Sequence, residues 1–301
     1  MTRLLLPLAL FTLSANATTL PSGFSQVLFE DDFSLLPAGS TPSLQKWSHS
    51  LGTSYPGGPY AWGTNEVQSY TDRNAVVTST GALRITPQRS ASGSWTSSRI
   101  ESLSRYDFAC PAGGKLRIET SMKFGNGPQE EQMGIWPAFW SMGSDFRGNY
   151  SQWPAAGEID IAESVNGVDK LYMALHCGWA PGGPCDEYNG MKMAVPLSRG
   201  GFHTFAVEID RTNSGGAWKG ERLTWYMDGK RVFRVDGASF ADEWVWTAIT
   251  RKPKFLILNV AVGGDFADNA ENPGRVKTPT AVTKGGEGAA LEVKYIAVFS
   301  T

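Results

Sequence analysis

Apolar residues recur along this chain with period two almost everywhere, the spacing of half-buried strands rather than of helices. The clearest case runs from Lys115 to Phe124. There Leu116, Ile118, Thr120, Met122 and Phe124 alternate with Lys115, Arg117, Glu119, Ser121 and Lys123, which predicts one buried and one wet face. Val27 to Phe33 reads as an opening strand that ends in acids, and a short strand lies between Gly81 and Pro87. "FHTFAVEID" points Phe205, Val207 and Ile209 inward, and "LTWYMDGKRVFRV" predicts a hairpin turned at Asp228-Gly229. "GIWPAFWSMG" and "KFLILNVAVGG" are apolar on both faces and read as central strands. The closing "ALEVKYIAVFS" is expected to turn Leu291, Val293, Tyr295, Ala297 and Phe299 to one face. A short helix is admitted only in "ASFADEWVWTAITRK". With no repeat, low-complexity tract or linker, the pattern predicts one all-β domain over residues 18–301, a sandwich, jelly roll or barrel. One sheet of a sandwich can curve into a groove long enough for a polymer.

One stretch interrupts the alternation. In "GEIDIAES", Gly157 to Ser164, three acids fall within six residues of an otherwise apolar strand. Strict alternation puts Glu158 and Asp160 on one face, with Ile159 and Ile161 on the other, and leaves Glu163 out of phase. A one-residue β-bulge at Ile161 or Ala162 restores it, and bulges are common beside active sites because they re-aim a side chain.

Composition narrows the setting. The 301 residues carry a formal net charge of −2 with no basic stripe, which removes the footprint of a nucleic-acid binder. Arg3, the apolar run Leu4 to Leu13 and the small-x-small site Ala15-Asn16-Ala17 read as a secretory leader cut after Ala17. That run is well short of the ~20 residues that cross a bilayer. A secreted, extracellular chain with no membrane partner is expected, and it is expected to be a monomer. Of three cysteines, Cys177 and Cys185 bracket the Gly/Pro-rich "GWAPGGP" and are expected to pair, leaving Cys110 free. Asn149-Tyr150-Ser151 is a glycan acceptor sequence. His49, His176 and His203 are scattered without the spacing of a zinc site.

Two carboxylates flanking a bond are what glycoside hydrolysis needs: one donates a proton to the departing oxygen, the other attacks the anomeric carbon or activates water. Asp160 between two glutamates can hydrogen-bond one of them and raise the proton affinity of both by like-charge coupling. Spacing alone also admits a solvated strand face or a calcium-binding patch, and it leaves retention and inversion open. The aromatic context favours chemistry. Trp136 and Trp140 in "WPAFW" are four apart, hence on one strand face, with Ile135 and Phe139 on the other. Their indoles suit stacking on sugar rings, although Trp140 suits a core equally well.

These residues resemble glycoside hydrolase family 16, in its laminarinase-like branch of endo-β-1,3- and β-1,3(1,4)-glucanases. "WGTNEVQSYT", "SSRIES", "WPAFW", "GEIDIAE", "FHTFAVEID", "WYMDGK", "FLILNVAVGG" and "LEVKYIAVFS" occur in the family's order across nearly the whole chain. The resemblance implies a β-jelly-roll sandwich of two antiparallel sheets with a concave cleft, and a retaining double displacement. It makes Glu158 the nucleophile, Asp160 its assistant and Glu163 the acid/base, and it marks the extra residue before Glu163 as the branch's bulged form. It also carries over Asn65 and Glu66 as a loop on the glycone side, Arg99 near those subsites, Trp136 and Trp140 as cleft tryptophans, and His176 as a histidine close to the acid/base. Trp62 and Trp179 match more weakly. Cys177 replaces a glycine often found after that histidine, and the inserted "WAPGGPCDEYNG" resembles fungal members.

The expected function is therefore a secreted retaining endo-glucanase acting on a polysaccharide, β-1,3 or mixed-linkage β-glucan. It needs no cofactor, and a structural calcium ion is admitted by the resemblance. A non-catalytic β-glucan-binding module and a wall-remodelling transglycosylase on the same fold are the alternatives. No G-x-S-x-G elbow and no phosphate-binding glycine loop occurs.

Overall fold

A computed structural model of the chain describes residues 19–213 and 217–301; the leader expected at 1–17 lies outside them. Two large sheets dominate. The front sheet has seven strands in the spatial order Met191–Pro196, Lys170–His176, Glu158–Glu163, Ile135–Gly143, Lys254–Val262, Arg99–Ser102 and Trp47–Ser50. Every neighbouring pair is antiparallel.

The back sheet has eight strands, also all antiparallel. Its centre is Lys115–Phe124, flanked by His203–Asp210 and Leu291–Ser300. A small third sheet joins Ser69–Tyr70, Trp95–Ser97 and Gln88–Arg89. No described helix is long and apolar enough to cross a membrane.

The core lies between the two large sheets. Ile135, Phe139, Ile159, Leu171, Leu258 and Val260 from the front meet Leu116, Ile118, Phe205, Val207 and Trp225 from the back, all at most 1% exposed. Alternation is thus satisfied where it was strongest. The Lys254–Val262 strand is buried along its whole length, as expected of a strand covered on both faces. The hairpin turns where the sequence places it: Met227 pairs with Lys230, and Asp228 and Gly229 both take positive φ (49° and 73°), the backbone a two-residue turn of this kind requires. The helix Glu243–Thr250 forms within the one permissive segment and buries Val245, Trp246 and Ile249. Cys177 and Cys185 are joined, with sulfurs 2.03 Å apart, and Cys110 is free and buried.

One expected face is wrong. In Leu291–Ser300 the register shifts between Val293 and Tyr295, and beyond that point Ile296 and Val298 enter the inter-sheet core while Ala297 and Phe299 turn away from it. Tyr295 instead donates its hydroxyl to Glu119 on the outer face at 2.6 Å.

Candidate active site

The acid strand carries the bulge. Against Ile135–Gly143, Phe139 pairs with Ala162 and Trp140 with Asp160, so Ile161 has no opposite number. The other neighbour shows the same shift between Asp160 and Glu163. Ile161 and Ala162 therefore both sink into the core, at 1% and 0% exposure, and Glu163 returns to the outer face with Glu158 and Asp160. A carbonyl beside an interrupted ladder needs another donor. The Asp160 carbonyl receives one from the indole N–H of Trp225, reaching 2.8 Å from the back sheet.

Each acid has its own surroundings. Glu163 accepts the Trp136 indole N–H at 2.7 Å, and Glu158 accepts that of Trp153 at 3.0 Å. Burial raises the Glu163 carboxyl to about 7; the Trp136 bond and the His176 charge pull down against it, and Glu158 pushes up. Burial also raises Glu158, with His176 opposing. Asp160 goes well above the usual carboxylate range, through burial first and then the charges of Glu158 and Glu163. Asp160 and Glu158 lie side by side, with carboxylate oxygens within 4.8 Å of each other.

His176 pairs in register with Glu158, its Nε2 lies 3.4 Å from Asp160 Oδ2, and it is close enough for its charge to act on Glu163. Its other nitrogen meets Glu187 Oε2 at 2.7 Å, while Glu187 Oε1 accepts the Cys177 backbone N–H, also at 2.7 Å. Burial opposes the imidazolium, but the Glu187 bond and the charges of Glu158, Glu187 and Glu163 outweigh it, so the histidine pKa is raised. Gly190 closes over the ring: a Cβ there would stand 2.7 Å from His176 Cε1. Tyr188 stacks on Trp153 at 5.9 Å and 14°, extending this side outward. Glu187 was not anticipated. Its only trace in the sequence is an acid inside the loop that follows the paired cysteines.

On the other side of the acids the anchor is Arg99, 5% exposed, whose guanidinium lies 4.8 Å from the Trp140 ring, 4.9 Å from Trp62 and 5.1 Å from Tyr55. Glu101 neutralises it at 3.2 Å and also accepts the Ser50 and Tyr55 hydroxyls. Trp140 donates to Asn259 at 2.8 Å, Asn259 to the Tyr70 oxygen at 3.2 Å, and Tyr70 to Glu66 at 2.9 Å. Glu66 is thus a buried member of this network, with further bonds from Thr64 and Gln68, and burial raises its carboxyl. Asn65 is not brought to the acids; it is exposed and donates to Asp265 at 3.0 Å. Trp136 and Trp140 share the outer face, both part-exposed. Trp179 lies apart from these groups, half-exposed on the surface.

Glu158, Asp160 and His176 are close enough to suggest a metal centre, their nearest donor atoms all within 4.8 Å of one another. The set does not suit calcium, which takes oxygen ligands, because one of its three donors is a histidine nitrogen.

The fold and these acids define a class that comparison with known proteins bears out: the family model described as XgeA-like, catalytic GH16 domain, matches residues 64–295, and the chain belongs to glycoside hydrolase family 16. The XgeA-like description agrees with the fungal-type resemblance. Among solved structures, the endo-1,3-β-glucanase of Streptomyces sioyaensis is 42% identical with a TM-score of 0.86, covering 94% of this chain and 99% of that one. A glucan endo-1,3-β-glucosidase A1 of Niallia circulans is 26% identical over 91% of this chain, which spans 37% of its length. A β-1,3-glucan-binding protein of Penaeus monodon is 28% identical over 68% of the chain and 62% of its own.

Proposed function

We propose that this chain is a secreted endo-β-glucanase that hydrolyses β-1,3 or mixed β-1,3(1,4) linkages with retention of configuration. The observation that carries this reading is the bulge at Ile161, which aligns three acids on one face and leaves Glu163 with a proton affinity suited to a general acid near neutral pH. Glu163 donates its proton to the glycosidic oxygen as the bond to the anomeric carbon breaks. A Glu158 carboxylate oxygen bonds that carbon from the opposite face. Water then gives a proton to Glu163, its oxygen attacks the same carbon, and Glu158 leaves. Asp160 holds Glu158 by a hydrogen bond that the nucleophile gives up as its negative charge is consumed. The Trp153 and Trp136 indoles fix the two glutamates in orientation.

A binding-only role, as the name of the Penaeus protein describes, gives no use to three clustered acids of raised proton affinity. Glu158→Gln should lower turnover on laminarin by several orders of magnitude while leaving glucan binding in place, and early product should be the β anomer by NMR. A variant with near-parent turnover, or an α product, overturns the assignment.

A further inference from the structure

Of the eleven tryptophans, only Trp179 and Trp244 are exposed, at 50% and 52%, and the two lie against each other, ring centroids 6.2 Å apart and planes 25° from parallel. Neither belongs to the groups around the acids. Trp179 sits in the loop closed by Cys177 and Cys185; Trp244 is on the outward face of the helix Glu243–Thr250. Leaving two indoles in water is unfavourable unless something covers them.

We infer that Trp179 and Trp244 form a second carbohydrate-binding platform, which holds a β-glucan chain outside the cleft. The polymer as occupant rests on the glucanase reading above, and three observations support it. Beside Trp244 lies a cavity of about 550 Å³ lined by Asp145, Gln152, Glu243, Thr247 and Lys252, side chains able to accept and donate hydrogen bonds to hydroxyls. Its charges are already matched, Lys252 to Asp145 at 3.7 Å and Glu243 to Arg251 at 3.1 Å, so the site presents no uncompensated field to attract an ion. That suits a neutral polymer.

The third observation is continuity with the cleft. Gln152 in the cavity directly precedes Trp153, whose N–H holds Glu158, and the loop bearing Trp179 is followed by Tyr188, stacked on Trp153. The helix itself abuts the start of the acid strand: a Cβ on Gly157 would stand 3.1 Å from the Ala248 carbonyl oxygen. One chain leaving the acids past Trp153 and Tyr188 meets the platform next.

The test uses insoluble β-1,3-glucan (curdlan) as the probe and reads adsorption in the Glu158→Gln background, where hydrolysis does not erode the support. Trp244→Ala should weaken adsorption by about fivefold, the worth of one aromatic stacking contact. Trp244→Phe should restore most of it. In the otherwise unaltered chain, Trp244→Ala should leave hydrolysis of laminaritetraose at the parent level. Adsorption equal to the parent's overturns the platform, as does loss of a self-associated state on sedimentation with adsorption unchanged, which would assign the pair to a second copy. A parent that adsorbs through Trp244 yet cleaves no glucan refutes the catalytic reading and leaves the platform standing.

Discussion

The two flanks of the acid strand hold their functional groups by opposite means. On the Arg99 side, residues 55, 62, 66, 70, 99, 101, 140 and 259 come from segments spread over two hundred positions and close into one buried net. On the His176 side, nearly everything between residues 176 and 190 comes from one strand end and its loop, pinned by a disulfide and a single carboxylate. The first arrangement ties shape to the whole fold. The second can be altered locally, and its disturbance should be felt in proton affinity more than in stability.

The sharpest way to break this contrast is Arg99→Leu. It leaves Glu101 buried beside Tyr55 with only the more distant Arg147, 4.0 Å away, as a cation, and breaking a buried pair by removing one partner costs about 3–5 kcal/mol. Removing Glu101 as well, in Arg99→Leu/Glu101→Leu, should recover part of the loss because no charge is then stranded. Urea unfolding measures both. A single variant within experimental error of the parent would show that the net is not a unit.

Glu187→Gln is the corresponding cut on the other flank. The amide can keep one contact but not the charge, so a loss on the order of 1–2 kcal/mol is expected, well below that at Arg99. The larger consequence concerns His176. Its pKa is raised chiefly by Glu187, so the variant should lower it, and the imidazolium should give up its proton at a lower pH than in the parent. NMR titration of the ring checks this. An unchanged histidine with a badly destabilised chain would reverse the contrast.

The same contrast bears on what could be read in advance. Glu163 was legible because three acids mark one face of a strand, so a residue out of phase is visible and a bulge is the cheapest repair. The shift at Lys294 was not, since Tyr295 to Phe299 are apolar at both parities and nothing marks which should face inward. Glu66 was expected on a cleft-side loop and is buried. The signal for it was local: its partners Thr64, Gln68 and Tyr70 lie two and four residues away. Glu187 had no such signal. Its partners are a strand end and a histidine ring, and only the folded loop brings them together.

The smallest expected effect lies between the flanks, at Trp136. Its indole N–H binds the Glu163 carboxylate at 2.7 Å and so favours the charged form, pulling against the burial that raises the acid to about 7. A general acid works only while protonated, so kcat/KM should fall as pH rises through about 7 in the parent. Trp136→Phe keeps an aromatic face but removes the donor. With the ionised form less favoured, the Glu163 pKa must rise and the basic limb of the profile must move to higher pH, by about one unit for one hydrogen bond to a charged carboxylate lost. A limb that stays in place would show that the indole only orients the carboxyl, and one that moves to lower pH would mean that Glu163 is not the group titrating there.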